Sequence, residues 1–122
     1  MYIYQAELWC NDCGKAICRK LTRDRKAPAD PDDETSFDSD DYPKRADERE
    51  ESDTPQHCAA GKQCLNAIAL PSGRKIGALF GELTPDGLAY VKDAIVEANE
   101  GMGDKEVVAL WQEHFHEKGY QI

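Results

Sequence analysis

No apolar run in this chain approaches the ~20 residues needed to span a bilayer, so a membrane-spanning helix is excluded. Met1-Tyr2-Ile3-Tyr4 shows neither the basic region nor the apolar region of a secretory signal, and a cytoplasmic protein is expected. Equally missing are a glycine-rich phosphate loop, an H-E-x-x-H metal helix, and any serine or cysteine in a recognisable nucleophile motif. Histidine is scarce. His114 and His116, two residues apart in a helical stretch, point to different faces and suggest solvated or aromatic-packed side chains. These absences argue against an enzyme.

What is present is cysteine in pairs. Trp9-Cys10-Asn11-Asp12-Cys13-Gly14 carries two thiols two residues apart, closed by a glycine suited to the positive φ of a metal knuckle. Downstream, Gln56-His57-Cys58-Ala59-Ala60-Gly61-Lys62-Gln63-Cys64 supplies two more thiols in a looser turn. Thiolates are soft ligands for Zn²⁺ in closed tetrahedral sites. Cys10, Cys13, Cys58 and Cys64 therefore read as one structural zinc site, with His57 as an alternative to Cys58. Four thiolates would also accept an iron–sulfur cluster. Competing readings are buried apolar thiols, disulfides in a secreted chain, and a thioredoxin-like redox pair. The redox reading needs a strand before the motif and a helix after it within a βαβ unit, and no parallel strand is evident downstream. Zinc deaminases need a glutamate beside a ligating histidine, which His57-Cys58-Ala59 lacks. Cys18 has no spacing partner.

Charge is unevenly placed. Residues 30–53 hold twelve acidic and three basic side chains, a local charge of −9 that equals the formal charge of the whole 122-residue chain. The remainder is electrically ordinary. The sequence predicts a single domain over 1–122, with 28–55 as an acidic, flexible internal segment pinned by Phe37 and Tyr42, too poor in apolar residues to fold alone. Asp38-Ser39-Asp40-Asp41 lacks the glycine and terminal glutamate of a calcium loop. Its carboxylates instead suit a partner surface, because closely spaced acids imitate phosphates. Fewer than a hundred residues then remain for a core, a size at which metals commonly act as staples.

Along the chain, alternation from Tyr2 to Leu8 predicts a strand entering the knuckle, and residues 15–27 stay unassigned. Ala67–Leu70 and Lys75–Phe80 flank the turn chemistry Pro71-Ser72-Gly73-Arg74 and predict a β-hairpin. Thr84-Pro85-Asp86 starts a helix over 84–99, with Leu88, Val91, Ile95 and Ala98 on one face. A second helix over 104–117 has Val107, Val108, Trp111 and Phe115 as its apolar stripe. The fold class expected is α+β: a small zinc-stapled domain with an N-terminal strand and a hairpin packed against two C-terminal helices.

Four blocks together resemble a family: Trp9-Cys10-x-x-Cys13-Gly14, Asp38-Ser39-Asp40-Asp41-Tyr42-Pro43, Ser52-Asp53-x-Pro55-Gln56-His57-Cys58, and Leu83-Thr84-Pro85-Asp86-Gly87-x-x-Tyr90-Val91. The order is similar to that in small uncharacterised proteins encoded by bacteriophages and prophages, and it covers most of the chain. Members often carry glycine-rich sequence after the Tyr-Pro block, where this chain has Lys44-Arg45-Ala46-Asp47-Glu48. The resemblance brings no activity. It implies a phage-related protein in the cytoplasm of a bacterial host, with a cysteine metal site.

The function expected is a protein-interaction module with structural zinc, in its sharpest form an inhibitor of host defence or nucleic-acid machinery acting through Asp38, Asp40 and Asp41. The alternative is a nucleic-acid-binding zinc knuckle using Lys15, Arg19, Lys20, Arg23 and Arg25, with the acidic segment competing for those cations. A thiol redox or hydrolytic enzyme is the third reading.

Overall fold

The structure is a computed structural model that describes residues 1–47 and 49–122; Glu48 of the acidic segment lies outside them. It is an α+β arrangement of three helices and several small strand pairs.

The first departure from the sequence expectation is at the N-terminus. Residues 2–8 form not one strand but a tight antiparallel hairpin of β1 (Tyr2–Tyr4) and β2 (Glu7–Trp9), with Tyr2 opposite Trp9. Gln5 and Ala6 turn the chain at φ 52° and 61°, the geometry of a two-residue type I′ turn. Neither residue is glycine or asparagine, so no turn signal was visible, and left-handed backbone costs about 1–2 kcal/mol for each. Contacts from elsewhere offset that cost: the Gln5 N–H donates to the Ser39 carbonyl at 3.1 Å and the Trp9 indole N–H to the Tyr4 carbonyl at 3.1 Å.

The unassigned stretch that follows is a helix, α1 (Asn11–Arg23). Its N-cap is Cys10, whose sulfur accepts from the Cys13 N–H. Asp12 in the first turn and Lys20 and Arg23 in the last complement the helix dipole. Gly14 is therefore helical rather than a positive-φ knuckle residue. It is buried against Tyr2, so close that a β-carbon would overlap the ring. The glycine lets α1 lie on β1.

The acidic segment is tied in at both ends. Strand β3 (Lys44–Arg45) pairs with the free edge of β1, and β4 (Glu51–Ser52) pairs in parallel with β9 (Glu82–Leu83). Tyr42 is buried, and Phe37 packs edge-on against it at 5.5 Å between ring centres. The strand partners of β3 and β4 come from distant sequence, which is why local composition suggested only a solvated linker.

Further on, β5 (Gln56–His57) pairs antiparallel with β8 (Leu79–Phe80), and β6 (Ile68–Ala69) with β7 (Lys75–Ile76). The hairpin turn falls on 71–74 as expected. The strand predicted to run unbroken over 75–80 is interrupted at Gly77, whose backbone approaches the Cys58 carbonyl too closely for a side chain. The Cys58 N–H bonds the Ala78 carbonyl at 2.8 Å across this break.

Two helices complete the chain. In α2 (Pro85–Asn99) the Thr84 hydroxyl caps the Gly87 N–H at 3.0 Å and Pro85 occupies the first turn; in α3 (Lys105–Glu117) Asp104 caps the Val107 N–H at 3.2 Å. Their apolar stripes meet, placing Leu83, Val91 and Phe115 in a hydrocarbon core rimmed by Leu79, Ile95, Trp111, Tyr120 and Ile122. Fully burying a side chain such as Val91 or Phe115 contributes about 1.5–3 kcal/mol. The 68–76 hairpin joins this unit through its turn: Ser72 bonds Glu106, and Arg74 pairs with Asp104. Among the described residues, no helix is long and apolar enough to cross a membrane.

Candidate metal centre

The end of β2 delivers Cys10, the first turn of α1 delivers Cys13, the end of β5 delivers Cys58, and the 3₁₀ turn Gly61–Gln63 leads into Cys64. All four are buried and free of disulfides, and their sulfurs lie within 4.8 Å of one another. Cys64 Sγ is 3.6 Å from Cys10 Sγ and 3.8 Å from Cys13 Sγ. A tetrahedral ion with metal–sulfur bonds of about 2.3 Å sets ligand sulfurs roughly 3.8 Å apart, whereas a disulfide needs about 2.05 Å. The donor set and its spacing fit a single ion.

Backbone and side-chain donors surround the sulfurs. The Cys10 N–H points at Cys58 Sγ (3.3 Å), the Leu65 N–H at Cys13 Sγ (3.3 Å) and the Asn66 N–H at Cys64 Sγ (3.3 Å). The Asn66 side-chain amide reaches Cys10 Sγ at 3.5 Å and Asp12 Oδ2 at 2.9 Å. Such outer donors orient ligands and spread the charge of a thiolate-rich site. Trp9, Ala60, Ala67, Ala78 and Phe80 pack around the cluster and keep water out.

Electrostatics divide the thiols. Burial pushes Cys10 up, but the N–H of Cys13, the amide of Asn66 and the neighbouring thiols outweigh it and bring it down to about 7. Burial dominates at Cys13 and Cys58 and holds both above the ordinary thiol value despite backbone donors. Four thiolates in one dry cluster repel one another, and a bound dication removes that penalty.

His57, the alternative to Cys58, is not part of the cluster. Its Nδ1 donates to the Gly77 carbonyl at 2.8 Å, which fixes Nε2 as the acceptor for the Trp111 indole N–H at 2.9 Å. The ring thus ties the metal loop to α3. Sequence reasoning places Trp111 only on an apolar stripe and does not single out Asn66, since an amide bonding sulfur and an indole bonding a distant imidazole leave no periodic or spacing signal.

The redox reading meets a mixed outcome: a strand does precede the first cysteine pair and a helix does follow it, but β3, the strand described after that helix, runs antiparallel to β1, and two further thiols share the site. Cys18 stands outside the cluster, half-buried on α1. Burial and Lys118 lower the pKa of His114, whose Nε2 is buried and has no hydrogen-bond partner among the described residues; His116 is exposed.

Asp38, Asp40 and Asp41 are exposed on a short turn in which the Asp40 N–H bonds Asp38 Oδ1 at 3.0 Å, and the Asp41 and Tyr42 N–H groups bond the Asp38 carbonyl at 3.0 and 3.2 Å. The Gln5 bond to Ser39 and the buried Tyr42 hold this turn against the N-terminal hairpin. Compared with protein-family models, curated proteins and solved structures, the chain matches none of them.

Proposed function

We propose that the four thiolates hold one structural Zn²⁺, and that the scaffold so stapled presents the Asp38–Asp41 turn to a basic protein partner in a reducing cytoplasm. The observation that carries the second part is the mounting of the turn: three exposed carboxylates sit on four consecutive residues that a buried tyrosine and a cross-chain backbone bond hold in place. Carboxylates already ordered lose little entropy on binding, and their density imitates a run of phosphates to a basic groove. Reducing conditions keep thiols available to a metal. With four thiolates a zinc ion is coordinatively closed, leaving no site for an activated water, so the metal's role is to fix structure. The resemblance to phage-encoded proteins makes a host or phage protein the expected partner.

Native mass spectrometry on protein purified without chelator should find one zinc per chain; visible absorption from thiolate-bound iron would reassign the metal. Capture from bacterial lysate should return a basic protein whose complex dissolves with rising salt and is lost in Asp38→Asn/Asp40→Asn/Asp41→Asn. Asparagine keeps the turn-forming side-chain oxygen and removes the charge. A complex that survives the triple change would place the interface elsewhere.

A further inference from the structure

Along α1, Lys15, Arg19 and Arg23 recur every four residues, all exposed, which places cations about 6 Å apart along one stripe. Two cavities adjoin this stripe. One, of about 320 Å³, is lined by Lys15, Arg19 and Arg45 together with Asp32 and Glu34; the other, of about 580 Å³, by Arg19, Thr22 and Arg23. Both also share Cys18 and Tyr42, so they form one groove beside the helix. Four cations and two carboxylates thus line it. The carboxylates gather at its β3 end: Glu34 Oε2 accepts the Arg45 N–H at 2.9 Å, and Asp32 lies 4.0 Å from the Arg45 guanidinium. Among the described residues, Lys15, Arg19 and Arg23 have no carboxylate within ion-pair distance.

We propose that this groove binds a single strand of nucleic acid through its phosphates, and that Asp32 and Glu34 compete with the strand for the Arg45 end. The shape favours a single strand over a duplex. Insertion into a major groove needs a protruding helix, whereas here the cations border a concavity flanked by the acidic loop. The competition is readily displaced, because the Asp32 and Arg45 side chains are 92% and 74% exposed and exposed ion pairs are weak and screened by salt. This site goes beyond the partner surface proposed above. It uses Asp32 and Glu34 rather than Asp38, Asp40 and Asp41, and the two can be tested apart.

Fluorescence anisotropy of the full-length, metal-loaded protein with a labelled 20-nucleotide oligo-dT should show weak binding in 50 mM salt and a gain of about tenfold for Asp32→Asn/Glu34→Gln. Four phosphate contacts on a single strand predict a log–log salt slope near −2.8, or roughly 50-fold weaker binding at 200 mM. Adding Lys15→Glu/Arg19→Glu to the neutralised variant should abolish binding; Arg23→Glu serves as a second reversal. Methyl and amide NMR dispersion checks that each variant keeps its fold. The proposal is overturned if the neutralised variant fails to bind oligo-dT at 50 mM salt, if binding survives both charge reversals, or if duplex DNA of equal length competes as well as the single strand.

Discussion

The protein has two cores of opposite chemistry. One is built of four thiols, with alanines and two aromatic rings around them; the other is hydrocarbon centred on Leu83, Val91 and Phe115. The first repels itself once its thiols ionise unless a cation compensates them, while the second needs only the removal of apolar surface from water. They meet at the β5–β8 pair. Neighbouring residues on each strand serve different cores: Phe80 packs on the thiols and Leu79 on the hydrocarbon, just as Cys58 enters the cluster and His57 bonds Trp111. Strand alternation lets two residues of one short ribbon serve two stabilising mechanisms.

Metal removal should separate the cores most sharply. A structural zinc contributes on the order of 10 kcal/mol at neutral pH, so chelation should collapse NMR dispersion around Trp9 and residues 58–66 before that of α2 and α3. The pH dependence has a definite sign. Burial keeps Cys13 and Cys58 protonated at neutral pH in the ion-free site; binding must release those protons, so these two thiols alone should raise metal affinity by about 100-fold per pH unit. For the ion-free chain the sign reverses. Above pH 9.0, the ordinary value for these thiols, unfolded cysteines lose protons that folded ones retain, and folding stability should fall as pH rises. Cobalt titrations at several pH values and denaturation of the chelated protein check the two limbs.

On the other side, Phe115→Ala should cost about 3–5 kcal/mol in denaturant unfolding, since Phe115 is fully buried, yet the chain should still bind one metal with thiolate-to-cobalt absorption unchanged. Loss of the cobalt signal would mean that the cores fold as one. Gly14→Ala is next in size. In an exposed helix that change stabilises by about 0.5–1 kcal/mol, whereas here overlap with Tyr2 should destabilise by about 1–3 kcal/mol, so the sign alone decides. Trp111→Phe is the smallest: it removes the indole donor from His57, should cost about 1 kcal/mol, and should speed chelator stripping of the metal if the link between cores bears on the site.

The legible parts of the fold were those whose signals are local. Thr84-Pro85 and Asp104 mark the starts of α2 and α3, and the stripes through Val91 and Phe115 follow helical spacing. Spacing pointed to the four cysteines that cluster, but not to the reason His57 stays apart from them: Gly77 and Trp111 take both of its ring nitrogens. Hidden from sequence were features whose reason lies across the chain. Helix α1 begins on a cysteine cap that is also a candidate ligand, and the Gln5-Ala6 turn is stabilised by Ser39. The parallel pairing of β4 with β9 joins residues 31 apart, Glu51 with Glu82, and neither dipeptide carries a pattern.

An ion held by both Cys13 and Cys58 would convert the stretch between them into a closed ring, and the acidic loop belongs to that stretch. Closure entropy grows only with the logarithm of ring size, so doubling the loop costs about 0.6 kcal/mol. The span between α1 and Asp30 could therefore change in length, or accept a foreign peptide, at little cost in closure entropy, while Asp32 and Glu34 beyond it keep their places beside Arg45.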